Sequence, residues 1–341
     1  MVVMVFVPAR VMFEREALHY PLGRSLYDYF QARSIAVELV ASHNRVAGIP
    51  GKSPQEKYRE GKRTLVVGVR KNLAFQSCRP SAHFQLPLTT GCPGKCEYCY
   101  LISSLPEKPY IRAYVNIADI LARAGDYIAQ RKPEITIFEG SATSDPVPVE
   151  RYTGALAEAI AFFADQQYGR FRFVTKFTDI DSLLGVGHNG HTVCRFSLNT
   201  PEIIKKFEHG TPALEERLAA AGRMAAAGFP LGFMIAPVII YDGWQDDYIM
   251  LLELIRRECG GVERPAFEFV THRFTERARQ KINILFPLTT LPMDKEDRKF
   301  KFGQFGYGKY IYPDETREKI RCLLTAKVKE LFPNAGVEYL V

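Results

Sequence analysis

From residue 84 onward, short β-rich apolar runs alternate with stretches of helical period. That alternation constrains the fold more than any other feature of the 341-residue chain. The runs are FQLPLTT (84–90), EITIFEG (134–140), FRFVTKF (171–177), TVCRFSL (192–198), PLGFMIAPVII (230–240) and PAFEFVT (265–271). Between them lie IADILARAGDYIAQ, PVERYTGALAEAIAFFADQ, LEERLAAAGRMAAAG and DDYIMLLELIRREC. Six strands with helices in their connections predict an α/β fold, a parallel sheet closing into a partial (β/α)6 TIM-like barrel. In such sheets chemistry collects at the C-terminal ends of the strands, so the site is expected there.

The flanks break the pattern and set the expected boundaries. Residues 1–83 read as a mixed α/β appendage with an opening strand, helical segments near 22–40, a basic loop and a strand at 64–70. Residues 84–285 are the barrel. Residues 286–341 are a C-terminal segment in which KFKFGQFGYGKYIYPDE (299–315) predicts a hairpin with a glycine-rich tip, followed by a helix over 316–332. No run of 18 apolar residues occurs, so no membrane span is expected. The first seven apolar residues have no basic segment before them and read as a buried strand rather than a signal peptide, which places the protein in the cytoplasm.

The formal net charge is +7, and it is uneven. Residues 51–80 hold eight Lys or Arg against Glu56 and Glu60, and residues 264–309 hold ten basic against five acidic side chains. Such clustering suits a polyanionic partner, although a solvated surface would also account for it.

Of seven cysteines, three lie in TTGCPGKCEYCY (89–100) at the spacing C-x3-C-x2-C: Cys92, Cys96 and Cys99. Thiolates so placed ligate zinc or an iron–sulfur cluster. A closed zinc site needs a fourth Cys or His at a partner spacing, and no other cysteine forms a close pair. A four-iron cluster with three protein thiolates leaves one iron open for a substrate or cofactor. Cys78, Cys194, Cys259 and Cys322 are scattered and read as small buried or bystander residues.

C-x3-C-x2-C after the first strand of an α/β barrel, with Tyr98 just before the last cysteine, resembles the radical S-adenosylmethionine enzymes. FEGSxTSDP (138–146), FVTKF (173–177), RFSLNTPE (195–202) and GFMIAPVI (232–239) follow in that order and extend the resemblance to the spore photoproduct lyase family over nearly the whole chain. The resemblance implies a DNA-repair lyase with a [4Fe-4S] cluster and S-adenosyl-L-methionine. Reductive cleavage of that cofactor gives a 5′-deoxyadenosyl radical, and the enzyme splits 5-thyminyl-5,6-dihydrothymine back to two thymines. It implies ultraviolet-damaged double-stranded DNA as substrate, a flavodoxin or ferredoxin as electron donor, a monomer, and the spore core as location.

The same resemblance assigns residues. Cys92, Cys96 and Cys99 hold the cluster. Tyr98 lies beside the cofactor, Ser144 and Lys176 take its amino acid end, Ser197 and Asn199 its ribose, and Ala236 its adenine. Tyr98 and Tyr100 return a hydrogen atom toward the deoxyadenosyl group. Arg273, Lys301 and Lys309 contact DNA, with Tyr307 as a wedge at the hairpin tip. Ala142 departs from the family, which carries a hydrogen-donating cysteine there. The departure is either an engineered change, favoured by the closeness of the rest of the match, or a natural divergence, and it implies an impaired final quench. Cys194, in the middle of TVCRF, is a poor substitute donor. Two other readings stay open: a radical enzyme acting on RNA or a small molecule, and a non-catalytic iron–sulfur or zinc module that binds nucleic acid.

Overall fold

The computed structural model describes residues 4–105, 108–302, 306 and 308–341. Its contacts divide the chain into two compact units, residues 1–95 with 105–194, and residues 96–104 with 195–341.

The first unit contains a five-stranded sheet in the order Ala36–Val40, Arg10–Glu14, Thr64–Gly68, Ile111–Tyr114, Thr89–Thr90. All neighbours are parallel except the last pair. Its core is Val11, Phe13, Leu65, Val67, Ile111 and Ala113 against helix Pro21–Gln31 through Leu26 and Phe30. Three expectations for this region change. The opening strand is Arg10–Glu14, downstream of the apolar start, because it is Val11 and Phe13 that fill this core. The helical stretch ends at Gln31, and Ala36–Val40 is an edge strand. The basic segment is not a loop: Ser53 and Glu56 form a capping box on helix Pro54–Lys62, with Pro54 at its first position, and Thr64–Gly68 is fully buried.

The unit also holds the first strands of an eight-stranded sheet, in the order Ser77–Cys78, Ala82–Gln85, Thr136–Glu139, Gly169–Thr175. Ser77–Cys78 runs antiparallel to Ala82–Gln85, and the following neighbours are parallel. Period-two alternation gives each strand two chemistries. Phe138 and Phe171 pack on Phe163 of helix Ala155–Ala164, with ring centroids 5.2 and 5.3 Å apart. Glu139 and Arg172, next in sequence to Phe138 and Phe171, form an ion pair on the opposite face.

Strand Thr192–Leu198 carries the chain from the first unit into the second. There the sheet runs through residues 195–198, Leu231–Val238, Ala266–Thr271 and Gly336–Leu340. Among the described residues its strands number eight rather than six. A short hairpin strand and the C-terminal Gly336–Leu340 are the additions, the latter parallel to Ala266–Thr271. In the core of this unit Arg195 is 1% exposed and donates to both oxygens of Glu268, at 3.1 and 2.8 Å. Tyr339 donates to the same carboxylate at 3.2 Å. Gly232 makes room for this pair, since a Cβ there would stand 2.7 Å from Arg195 Cγ. The hairpin is Lys299–Phe302 antiparallel to Gly308–Ile311, and the closing helix is Asp314–Leu331, both close to expectation.

Candidate functional site

The cysteine loop does not follow a strand of the large sheet directly. That strand ends at Gln85, because Pro87 lacks the N–H the ladder needs, and Thr89–Thr90 pairs instead with Ile111–Tyr114 of the smaller sheet. Gly91 then joins the loop to the segment after Thr136–Glu139. Its N–H donates to the Thr143 carbonyl at 2.9 Å, and its own carbonyl accepts from Asp145 N–H at 3.3 Å. Gly91 and Ser144 thus form a parallel bridge. Gly91 has φ +89°, and a Cβ would meet the Tyr110 carbonyl oxygen at 2.6 Å, so only glycine fits this position. The residue before Cys92 and the residues around Ser144 are locked together at backbone level.

Asp145 extends the lock to the next strand. One carboxylate oxygen accepts from Thr175 Oγ1 at 2.8 Å, the other from Lys176 N–H at 2.9 Å. Burial pushes its pKa up to about 6 despite these bonds. Ser141 Oγ accepts from Val174 N–H at 2.8 Å. Ser144 and half-buried Lys176 therefore sit at neighbouring strand ends, where sequence placed them.

Within the loop, Gly94 N–H donates to Cys92 Sγ at 3.3 Å, and Cys99 N–H donates to the Cys96 carbonyl at 3.2 Å. Lys62 is 4% exposed and donates its ammonium to the Cys92 carbonyl at 2.8 Å. It is a buried cation beside the loop, not part of a surface for a polyanion. An amide on sulfur and a fixed positive charge both favour thiolates and an anionic group bound to them. Among the described residues no three His, Cys, Asp or Glu side chains are placed to share one metal ion. Sulfurs around a single zinc stand about 3.8 Å apart, whereas a four-iron cluster gives each iron its own thiolate and holds them farther apart. Three cysteine thiolates in one loop, with an amide on the first and Lys62 beside it, are a donor set that fits a four-iron cluster.

The second unit fixes the other end of the motif. Tyr98 donates its phenol to Glu208, which pairs with fully buried Arg217 at 2.6 Å. Arg217 donates onward to the Ser197 carbonyl at 3.0 Å. Burial first, and the Glu208 charge second, hold the Tyr98 phenol well above its ordinary pKa. Its hydroxyl is engaged by Glu208, whose partner Arg217 reaches on to the Ser197 carbonyl. Glu97 accepts from Thr289 and pairs with His209 at 2.7 Å. Tyr100 is 55% exposed.

Asn199 is 0% exposed; its amide donates to the Pro237 carbonyl at 2.8 Å, and its oxygen accepts from Thr200 N–H and the Tyr248 phenol. It holds the segment that carries Ala236. Met234 and Ala236 are half-buried, alternating with buried Phe233 and Ile235 on Leu231–Val238.

At the C-terminal hairpin, Lys301 lies directly opposite Lys309. Burial, and after it the charge of exposed Arg273, lowers the Lys309 pKa. The Phe274 and Tyr310 backbones exchange hydrogen bonds at 3.1 and 2.8 Å and fasten the hairpin to the end of Ala266–Thr271. Three cations so arranged repel one another and would be relieved by phosphate. Tyr307 lies outside the described residues. Sequence reasoning passed over Phe300 and Phe302, which are 50% and 72% exposed on this hairpin. It also passed over Gly91, Asp145 and Lys62. Their signals were a glycine next to a ligand, an acid before Pro146, and a lysine two residues ahead of an apolar strand. None of these reads as function without the fold.

A cluster-type cysteine loop docked onto an α/β strand-end site defines the class: an iron–sulfur enzyme of the radical S-adenosylmethionine kind. A family model described as "Spore photoproduct lyase" matches residues 6–341. The spore photoproduct lyase of Clostridium acetobutylicum is 48% identical over 332 residues, 97% of this chain and 98% of its own. That of Bacillus subtilis (strain 168) is 45% identical over 336 residues, 98% of each. A solved spore photoproduct lyase complexed with dinucleoside spore photoproduct has a TM-score of 0.96 at 46% identity, covering 98% of this chain and 99% of that one. Another, with the same score, identity and coverage, is a double variant with bound AdoMet and dinucleoside spore photoproduct. In it a cysteine is replaced by alanine, and a serine 64 positions earlier by cysteine. The chain belongs to the spore photoproduct lyase family.

Proposed function

We propose that this chain repairs ultraviolet-damaged double-stranded DNA by returning 5-thyminyl-5,6-dihydrothymine to two thymines. The observation that carries the reading is the bridge between Gly91 and Ser144, which sets the three-cysteine loop against the strand-end segment. A [4Fe-4S] cluster on Cys92, Cys96 and Cys99, with S-adenosylmethionine at its open iron, would supply the carbon radical that starts scission once a flavodoxin- or ferredoxin-class donor provides an electron.

The chain's own residues bind and orient. Lys62 balances the negative charge of the loop. Ser144 offers a hydroxyl and Lys176 an ammonium to the amino acid end of the cofactor, and Asp145 keeps their two backbones in register. Arg217 and Asn199, holding the Ser197 and Pro237 carbonyls, fix the strand ends that meet ribose and adenine. Arg273, Lys301 and Lys309 bind backbone phosphates. A lesion within a duplex must be extruded, at a cost of about a few kcal/mol, less for a damaged base. Exposed Phe300 and Phe302 are placed on the hairpin to fill the space it leaves.

The test is anaerobic reconstitution, followed by incubation with dinucleoside spore photoproduct, S-adenosylmethionine and dithionite. The expected result is four irons per chain, deoxyadenosine and repaired dinucleoside. Cofactor cleavage with an untouched lesion would favour another substrate. Zinc in place of iron would favour a binding module.

A further inference from the structure

The reaction proposed above needs an electron from outside the chain, so some surface must receive its carrier. We infer that the exposed side of helix Pro54–Lys62, with Lys52 just ahead of it, is the docking surface for an acidic one-electron carrier protein; the inference rests on the function proposed above. Lys52, Lys57, Arg59 and Arg63 are exposed on this segment. Its two acids are both engaged within the first unit. Glu56 Oε2 accepts from the Lys52 and Ser53 N–H groups at 2.6 and 3.3 Å. Glu60 pairs with Arg10 at 3.0 Å through one oxygen and with Arg63 at 3.2 Å through the other. Among the described residues no ion pair reaches Lys52, Lys57 or Arg59. Helix Asp314–Leu331 is the contrast, since Arg317, Lys319, Arg321 and Lys327 each pair with an acid of their own helix. Paired cations make a solvated face. Open ones, with Arg59 and Arg63 four residues apart, repel one another and are relieved by an acidic partner.

The same helix is built onto the cysteine loop. Lys62, its last residue, donates to the Cys92 carbonyl at 2.8 Å, and Arg59 stands about one turn back along the helix. Gly61 lets the helix close on residue 109, because a Cβ there would stand 2.5 Å from Pro109 Cγ. The next residue, Tyr110, is the one whose carbonyl borders Gly91. Helix, Cys92, Pro109 and Tyr110 all belong to one compact unit. Cys92 and Pro93 are half-buried, so the loop itself reaches solvent.

Electron carriers dock briefly, over small areas, and are steered by charge. The cations assigned above to duplex DNA lie in the other unit, on and beside the hairpin. Here the neighbouring chemistry is a cysteine of the cluster loop, which suits delivery of an electron and not recognition of a base. The step balances as a one-electron transfer. One electron leaves the reduced carrier and enters the oxidised cluster, and no bond forms or breaks at the interface.

The experiment compares the parent chain with Lys57→Glu, Arg59→Glu and the double variant, and takes Lys329→Glu on the last helix as a control for net charge. The probe is a bacterial flavodoxin. Calorimetry with oxidised flavodoxin reads binding without turnover. The double variant should bind at least about tenfold more weakly than the parent and lose most of the parent's salt dependence, while the control binds like the parent. With flavodoxin kept reduced by its NADPH-dependent reductase, the double variant should need at least about tenfold more flavodoxin for half-maximal deoxyadenosine formation. With dithionite, which needs no docking surface, it should match the parent, and its affinity for duplex DNA should be unchanged. Flavodoxin binding and use that are indifferent to the double variant overturn the inference. So does a loss of duplex affinity with flavodoxin use intact, which would give this helix to DNA. Either result leaves the proposed function standing as long as the parent repairs the dinucleoside under dithionite. A parent that cleaves the cofactor under dithionite and leaves the lesion intact overturns the proposed function, and the calorimetry still decides the docking surface.

Discussion

The cysteine loop and the C-terminal hairpin hold their shapes in opposite ways. Around Gly91 the structure is fixed by buried backbone bonds, a positive φ and the carboxylate of Asp145. Each constraint is directional, and losing one displaces a ligand. On the hairpin, Lys301, Lys309 and Arg273 are gathered against their mutual repulsion, with Phe300 and Phe302 open to solvent. There the strands are fastened by the Phe274–Tyr310 backbone bonds, and it is the charge of the exposed side chains that matters. Changes in the first region should act as a switch, and changes in the second should be graded.

The largest effects test the switch. Cys92→Ala, Cys96→Ala and Cys99→Ala should each abolish cofactor cleavage, measured as deoxyadenosine under dithionite. Gly91→Ala should do nearly as much without touching a ligand, because a Cβ 2.6 Å from the Tyr110 carbonyl must push the loops apart. Its strain costs on the order of 1–3 kcal/mol. Full iron loading and cleavage in Gly91→Ala would erase the contrast.

Next come the hairpin cations. Arg273→Ala, Lys301→Ala and Lys309→Ala should each weaken binding to damaged and undamaged duplex alike, and reduce the slope of log K against log salt by about 0.9. Cofactor cleavage should stay at the parental rate. An unchanged slope would remove these residues from the phosphate footprint. Phe302→Ala should have a smaller and more selective effect, costing about 1 kcal/mol of preference for damaged DNA by loss of stacking. Equal losses on damaged and undamaged DNA would make the ring a packing feature.

The smallest effects concern pH, and their signs differ between the units. Burial raises Asp145 to about 6 from 3.8, and Glu150 to about 7 from 4.5. The folded chain keeps protons there that the unfolded chain releases, so their contribution to stability is complete below about pH 4 and lost as pH rises to about 7. His272, lowered to about 3 from 6.5 by burial and then by Arg298, contributes fully above 6.5 and loses that contribution as pH falls. Hydrogen exchange should show helix Ala155–Ala164, which Glu150 caps at Leu156 and Ala157, loosening toward neutral pH, and residues around 272 loosening in acid. Glu150→Gln should flatten the first trend, and the same slope in that variant would reject the carboxyl as its cause.

Much of this was legible in the chain itself. Period-two runs placed Thr192–Leu198 and Ala266–Thr271 almost to the residue, since both are long, uninterrupted and bounded by turns. The cysteine spacing pointed to a cluster because ligand number is a property of sequence. Other features were not legible, for physical reasons. Pro87 redirects FQLPLTT into a second sheet, a choice made by partner strands far along the chain. Asn199 and Tyr98 carry the right polar atoms for cofactor contact, but which partner each atom meets depends on residues such as Pro237 and Glu208 that no local pattern brings near.

The buried pair Arg195 and Glu268 has a consequence for how such a sequence drifts. Replacing either partner alone strands a charge in the core, at about 3–5 kcal/mol, whereas exchanging the whole set for apolar residues of equal volume is near neutral. Gly232 and Tyr339 belong to the same set, one by leaving space for the arginine stem, the other by its bond to the glutamate. These positions can therefore change only together. Single-step evolutionary paths through any one of them are closed, and a lineage that has crossed to an apolar version has no easy way back.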